Sequence, residues 1–353
     1  MSSRMRTMIT GHLGYIGPIM VQFFKNAGHW VCGLDTGYFR DCIGRGSAVV
    51  APDREILKDI RDVLPEDLEG IDVVVHLAAL SNDPMGALNP ALTFDINHAA
   101  CIRLAGAAKQ AGVSRFLFAS SCSIYGAAGN SGTPLDETAV FNPVSAYAAS
   151  KVKTEEDLLK LADDGFSPVF LRNATAFGVS PRLRFDLVLN NLLAWARITG
   201  TIRVMSDGTP WRPLVHIEDM SRAALAAAEA PGEVVHAQAF NIGREDGNYQ
   251  VRDIAEIVAR QTPGAKMEIT GQNGGDPRSY RVDFGKAQRC LPGFNPQWTL
   301  EMGCEELDRW LVDRKLSEQE FQSRFYIRLK QLQHLMSEGI VNADLRYAKR
   351  HSN

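Results

Sequence analysis

Gly11-His12-Leu13-Gly14-Tyr15-Ile16-Gly17 stands between the short apolar run Arg6-Thr7-Met8-Ile9-Thr10 and a stretch of helical apolar period from Ile19 to Ala27. Gly11 and Gly14 permit a tight turn and let backbone N–H groups approach a pyrophosphate, while Gly17 lets the helix pack close to the strand. The positive end of that helix then faces the phosphates. Trp30-Val31-Cys32-Gly33-Leu34-Asp35 follows as a second strand. It ends in a carboxylate about twenty residues past the glycines, where an acid bonds the adenosine ribose hydroxyls. A carboxylate there repels a 2′-phosphate and favours NAD over NADP, with Arg40 close enough to pull the other way. Strand, glycine loop, helix, strand and acid in this order predict a Rossmann-type α/β fold with a doubly wound parallel sheet.

Working outward, Lys58-Asp59-Ile60-Arg61-Asp62 falls where a loop can touch adenine, with Asp59 accepting from its amino group. Ile71 to Ala79 is a continuous apolar run, hence a central parallel strand, and the small residues after Leu77, Ala78 and Ala79, let backbone lie against a cofactor. His76 in this strand is expected as a packing residue. Pro90 to Gln110 reads as a helix in which Asn97 either braces backbone or meets solvent. Arg115 to Ala119 is a further buried strand, closing in Ser120-Ser121-Cys122-Ser123. Tyr147 and Lys151, four residues apart, share one helical face. A cation beside a phenol favours the phenolate, and a hydroxyl that relays the proton would complete an acid–base set.

Composition narrows the field of functions. The 353 residues exceed the usual span of one domain, and a net charge of −3 with mixed signs gives no footprint for nucleic acid or a membrane surface. No metal site is expected. The six cysteines, at 32, 42, 101, 122, 290 and 304, lack C-x-x-C spacing and the density of a disulfide scaffold. Reduced thiols in a cytoplasmic protein are the expectation. No run of about 18 apolar residues occurs.

Thr10-Gly11-xx-Gly14-xx-Gly17, His76-Leu77-Ala78-Ala79, Asn97, Ser120-Ser121 and Tyr147-xxx-Lys151 together resemble the extended short-chain dehydrogenase/reductase family, in its nucleotide-sugar epimerase/dehydratase branch, over roughly residues 6 to 310. The resemblance implies a Rossmann domain with a smaller sugar-nucleotide lobe, bound NAD, and hydride transfer with Tyr147 as base, Ser121 as relay and Lys151 holding the nicotinamide ribose. It implies a cofactor site of Gly11, Leu13, Gly14, Tyr15, Ile16, Gly17, Asp35, Asp59, Ile60, Leu77, Ala78, Ala79 and Asn97, with Tyr147 and Lys151. In the second half, Leu171 to Gly178 resembles the turn beside the nicotinamide, with Thr175 where many members have Asn. Asn190-Asn191-Leu192 resembles a segment that receives the substrate's phosphates. Ser206 to Asp219 resembles the family's G-D-G-x-x-x-R-D-F-x-H-V-x-D, with Arg212 as the diphosphate arginine and Pro213 in place of the usual Asp. Gly275-Asp276-Pro277-Arg278 resembles a second phosphate-binding segment, with Arg278 the candidate. Ser81, Asn82, Asp83 and the stretch from Ser180 to Asp186 are expected at the sugar or base, and Ser121, Ser123, Thr175, Asn191 and Leu192 complete the substrate set.

Residues 122 and 123 bear on the reaction. Dehydratases of this branch carry Asp then Glu after the relay residue, and many sugar-nucleotide decarboxylases keep the Glu; here Cys122 and Ser123 stand in those places. The remaining likeness is to epimerases, with Cys122 a further candidate acid or base. The alternatives are an NAD(P)H-dependent keto-sugar reductase, a 4,6-dehydratase and a non-catalytic NAD-binding protein. The expected organisation is an NAD-binding domain over 1–175 with the chain crossing back around 212–243, a sugar-nucleotide lobe over 176–315, and a helical extension over 316–353. In that extension Ser317-Glu318-Gln319-Glu320 caps an amphipathic helix with the stripe Phe321, Phe325, Leu329, Leu332 and Leu335, expected as a lid on the C-terminal lobe. The helices around Asn97 and Tyr147, rich in alanine, are expected to pair with a second copy in a homodimer.

Overall fold

The computed structural model describes residues 4–127, 132–271 and 278–348. Seven strands form one parallel sheet: β1 (Arg6–Thr10), β2 (Trp30–Asp35), β3 (Arg54–Leu57), β4 (Val73–His76), β5 (Arg115–Ser121) and β6 (Ser167–Asn173), joined late in the chain by β10 (Ala239–Ile242). The apolar runs are central strands because helices cover both faces; every residue of Val73–His76 and of Ser167–Asn173 is buried. Chain order runs outward from β1 through β2 to β3, then restarts on its other side at β4. The crevice at the carboxyl ends of β1 and β4 is therefore the topological switch point, where open α/β sheets bind ligands.

The helix Gly17–Asn26 buries Met20, Val21 and Phe24 against this sheet. The helix Ala146–Leu159 begins at Ser145, whose hydroxyl accepts from the Ala148 amide at 3.2 Å, so the cap fixes where Tyr147 enters the first turn. Beyond Asn173 two smaller sheets arise. One holds β7 (Thr175–Phe177), β9 (Trp211–His216) and β11 (Asn248–Gln250); the other pairs β8 (Thr201–Val204) with β12 (Lys266–Ile269). Helices Val188–Thr199, Val251–Gln261 and Leu300–Arg314 pack around them. No helix among the described residues is long and apolar enough to cross a membrane.

The C-terminal stripe does not form one helix. It breaks into Glu318–Phe321, capped by the reciprocal Ser317–Glu320 bonds, and Arg328–Ser337. The reason is that its apolar residues have two destinations. Phe321 and Tyr326 pack on Phe185, with ring centroids 5.9 and 5.0 Å away, whereas Leu332 and Leu335 join the core that holds Leu34 and Tyr38 beside the sheet. A straight helix cannot serve both, and Phe325 is left exposed. The segment therefore straddles both halves of the molecule, in place of the expected lid on the C-terminal lobe alone.

Candidate active site

A cleft of about 620 Å³ opens at the switch point and continues under the smaller sheets. Every site residue expected from the sequence lines it except Leu13, Asn97 and Cys122. At its floor Gly11 has φ +77°, and a Cβ there would sit 2.8 Å from the Ala78 nitrogen; one on Gly17 would lie 2.5 Å from the Gly11 oxygen. The backbone is thus bare where an anionic ligand can approach it. Tyr15 ties this loop to the second half of the chain, since its hydroxyl donates to the Gly178 oxygen at 2.6 Å and its own carbonyl accepts from Ser180 at 2.6 Å.

At the end of β2, Asp35 accepts from the Leu13 amide (3.0 Å) and the Gly37 amide (2.7 Å), which fixes the carboxylate at the cleft. Arg40 is drawn to Glu55 at 2.5 Å, and Glu55 also meets His12 at 3.0 Å. An acidic partner thereby occupies the cation that the sequence offered for a 2′-phosphate. Asp59 is held by Arg61 at 2.7 Å.

Strand β5 sorts its two terminal serines by alternation. Ser120 turns inward to Glu155 at 2.5 Å, and Glu155 forms a buried pair with Arg172 at 2.7 Å. Ser121 lines the cleft near the Tyr147 phenol. Lys151, buried in the next turn of the helix, donates to the Ala119 oxygen at 2.7 Å and lies 5.7 Å from the centre of the Tyr147 ring. Burial pushes the Tyr147 phenol up to about 12, with the Ser121 hydroxyl opposing it. Burial also pulls Lys151 down to about 8. The expected depression of the phenol by its neighbouring cation is thus outweighed here, because desolvation of the half-buried phenol exceeds a contact with an amine that already bonds a carbonyl.

At the far end, Arg278 pairs with Asp83 at 2.5 Å, Asp83 also bonds Ser145, and Arg212 donates to the Arg278 carbonyl. This brings the Arg278 guanidinium to Asp83 near the start of the Tyr147 helix and the Arg212 guanidinium to the Arg278 backbone. Gly275, Asp276 and Pro277 of the same segment lie outside the described residues. Between the two ends, Arg184 grips Asp186 through two bonds of 2.8 and 2.9 Å and reaches Ser81 at 3.0 Å. Thr175 and Leu192 border the same space, as does Asn191, whose amide donates to the Phe185 oxygen. Ser123 lines the cleft, and its buried hydroxyl has no partner among the described residues.

The sequence profile of the NAD dependent epimerase/dehydratase family matches residues 7–243. This chain belongs to that family. Its relatives include a UDP-glucose 4-epimerase of Corynebacterium glutamicum, 28% identical over 312 residues that cover 84% of this chain and 92% of that one. Among solved structures, MoeE5 in complex with UDP-glucuronic acid and NAD superposes with a TM-score of 0.74 at 28% identity, covering 88% of this chain and 100% of that one. The UDP-glucuronic acid 4-epimerase of Bacillus cereus, in complex with UDP-glucuronic acid and NAD, gives 0.74 at 25% identity, covering 88% and 99%.

Three residues expected at this family's site are placed elsewhere. Leu13 contributes its amide to Asp35 while its side chain is buried away from the cleft. Asn97 lies in a π-helical turn, Asp95–Ala99, and braces Leu80 from both sides, accepting from its amide at 2.8 Å and donating to its carbonyl at 3.2 Å. It shapes the wall and does not form it. Cys122 is turned into the core by the same alternation that separates Ser120 from Ser121, and its thiol donates to the Arg172 oxygen at 3.1 Å. Burial pushes that thiol far above its ordinary range, so it cannot serve as an acid or base on the sugar. Among the lining residues that the sequence did not signal is Arg328: it opens an apolar-striped helix, where an arginine reads as a surface cation, yet it is 1% exposed and borders the cleft.

Two outcomes follow from this geometry. Cys122→Ala should keep turnover within about threefold of the parent, as expected for a group that never meets the transition state; a steady-state assay showing loss comparable to that of Tyr147→Phe would restore the thiol to the mechanism. Lys151 has its folded-state pKa below its free value of 10.5, so folding penalises the charged amine below about pH 8 and the penalty fades as pH rises towards 10.5. Lys151→Met should therefore stabilise the cofactor-free protein at neutral pH by about 1–3 kcal/mol, with the gain shrinking in alkali. Urea denaturation at both pH values checks this, and a loss of stability at neutral pH contradicts it.

Proposed function

We propose that this protein is an NAD-dependent epimerase of a nucleoside-diphosphate sugar. The observation that carries the reading is the state of the carboxylates. Four line the cleft among the described residues, Asp35, Asp59, Asp83 and Asp186, and each is committed to a backbone amide or an arginine. Eliminating water or removing a carboxyl group at the sugar calls for an acid or base beside the tyrosine, and the positions after Ser121 offer only an inward thiol and a hydroxyl. Inversion through a keto-sugar needs neither.

The bare glycine loop, Asp35 and the amides around it fit a dinucleotide, and bound NAD supplies a reversible hydride acceptor. The chain supplies the rest. Tyr147 takes the proton of the sugar hydroxyl and returns it after the sugar has turned; Ser121 steadies the phenol and the sugar oxygen, and Ser123 is a donor for the same sugar. Lys151 holds positive charge beneath the phenol, which favours the phenolate once a ligand completes the site. Arg212 and Arg278 hold the diphosphate as a fixed pivot, a use suited to planar bidentate groups. A pivot at one end and a roomy middle let the sugar present either face. The Arg40–Glu55 pair disfavours the reductase alternative, for which a 2′-phosphorylated donor is usual.

Tyr147→Phe should lower turnover by a factor of about a hundred to ten thousand while the NAD content of the purified protein is unchanged. Assays with a panel of UDP-, GDP-, CDP- and dTDP-sugars identify the substrate. Release of a 4-keto-6-deoxy product, or stoichiometric consumption of a reduced nicotinamide, would replace epimerisation by elimination or reduction.

We further propose a homodimer through the helices Ala100–Gln110 and Ala146–Leu159. Of the alanines expected at that contact, Ala100, Ala108 and Ala148 are spent inside the protomer, while Ala99, Ala107 and Ala149 remain half-buried and leave room for close approach. Light scattering should give twice the protomer mass at micromolar concentration, and a monomer would contradict it. The free thiols suit the reducing cytoplasm, which cell fractionation checks.

A further inference from the structure

The wall of the cleft between the loop after Asp35 and the stretch 180–186 holds two buried arginines, Arg184 and Arg328, 6% and 1% exposed, while Arg182, 3% exposed, is not among the cleft-lining residues; the only ion pair these three make among the described residues is Arg184 with Asp186. Arg328 comes from the C-terminal segment, beyond the stretch matched by the family profile. Its guanidinium donates to the carbonyls of Phe325 (3.0 Å), Arg182 (2.6 Å) and Leu183 (3.4 Å) and lies 5.1 Å from the centre of the Phe39 ring. Carbonyl oxygens satisfy its N–H groups, and the nearby charge of Asp186 is already engaged by Arg184. Burial lowers its pKa to about 10, so it remains protonated at neutral pH. A buried cation that borders a cavity without an acid of its own is stable when the cavity supplies the anion.

The location says which anion. The stretch that carries the Arg182 and Leu183 carbonyls is stitched to the glycine loop by the Ser180–Tyr15 and Tyr15–Gly178 bonds. Arg212 and Arg278 form a separate cationic pole beside Asp83 and Ser145. The cleft thus has two poles, suited to two diphosphates. The helix that begins at Arg328 also lacks a side-chain cap, so its positive end adds to the first pole. We propose that Arg328 is a cofactor-binding residue whose guanidinium provides the counter-charge for the diphosphate of the dinucleotide. This rests on the NAD reading above.

The segment is built to hold that arginine in place. Gln331 donates to the Tyr38 carbonyl at 2.9 Å, the Tyr38 hydroxyl bonds the Leu345 carbonyl, and Arg61 reaches the Asp344 carbonyl at 2.8 Å while holding Asp59. The C-terminal segment is therefore clamped to both loops that present adenosine-binding carboxylates, Asp35 and Asp59.

The test compares Arg328→Met and Arg328→Lys in the full chain, stripped of cofactor, by calorimetric titration with NAD, ADP and adenosine. In Arg328→Met the affinity for NAD and ADP should fall about 10- to 100-fold, the usual loss for a charge-assisted contact, with adenosine within about twofold of the parent and Arg328→Lys recovering most of the loss. Unchanged ADP binding, or equal losses for ADP and adenosine, would overturn the assignment. Should the Met variant fail to fold, hydrogen exchange on the unaltered protein decides: ADP should slow exchange over 325–337 and adenosine should not, and equal or absent protection overturns it. Failure of the parent protein to bind NAD would remove the cofactor reading along with this assignment, whereas tight NAD binding unaffected by Arg328→Met removes this assignment alone.

Discussion

No side-chain atom fits at Gly11 or Gly17, and the rest of the cleft depends on that. A Cβ on Gly17 would meet the Gly11 and His12 oxygens at 2.5 Å, and one on Gly11 would press into the Ala78 backbone. Because the first helix and the end of β4 close on the loop this tightly, the loop's amides, Asp35 and Ala78 share one floor. Asn97 then fixes Leu80 through paired bonds, and the alternation of β5 sets Ser121 against that floor. Each step is short-range, and each narrows the position of the next.

Charge is the second organising feature. Buried groups of one kind are neutralised where they serve the fold: Arg172 with Glu155 behind Ser120, and Arg184 with Asp186 beside Ser81. Lys151 and Arg328 are buried facing the cleft without a carboxylate ion pair among the described residues. On the proposed function, a site for a dinucleotide and a nucleotide sugar retains its cations at a cost in stability to the empty protein, and recovers it on binding. The acids are treated in the opposite way, each tied to an arginine or an amide, which leaves a tyrosine and hydroxyls as the groups able to exchange protons with a sugar.

The sequence by itself determined the parts whose signal is local. Glycines at three-residue spacing followed by a periodic helix, an acid at the end of the next strand, and Tyr147 and Lys151 one turn apart all describe contacts between near neighbours, and the fold followed from them, while most of the expected lining residues followed from the family resemblance these motifs carry. Tertiary structure alone decided the rest, because the outcome lay in which of two environments a side chain entered. Ser120, Ser121 and Cys122 are adjacent, and only the placement of β5 between β4 and β6 sends one to Glu155, one to the cleft and one to the Arg172 carbonyl. Asn97 became a brace because a π-helical turn aims it at Leu80. The C-terminal stripe split because its apolar residues pack against elements more than a hundred residues upstream, on two different cores, and that split carries Arg328 inward. An arginine's burial is set by what covers it, and no spacing along the chain records that.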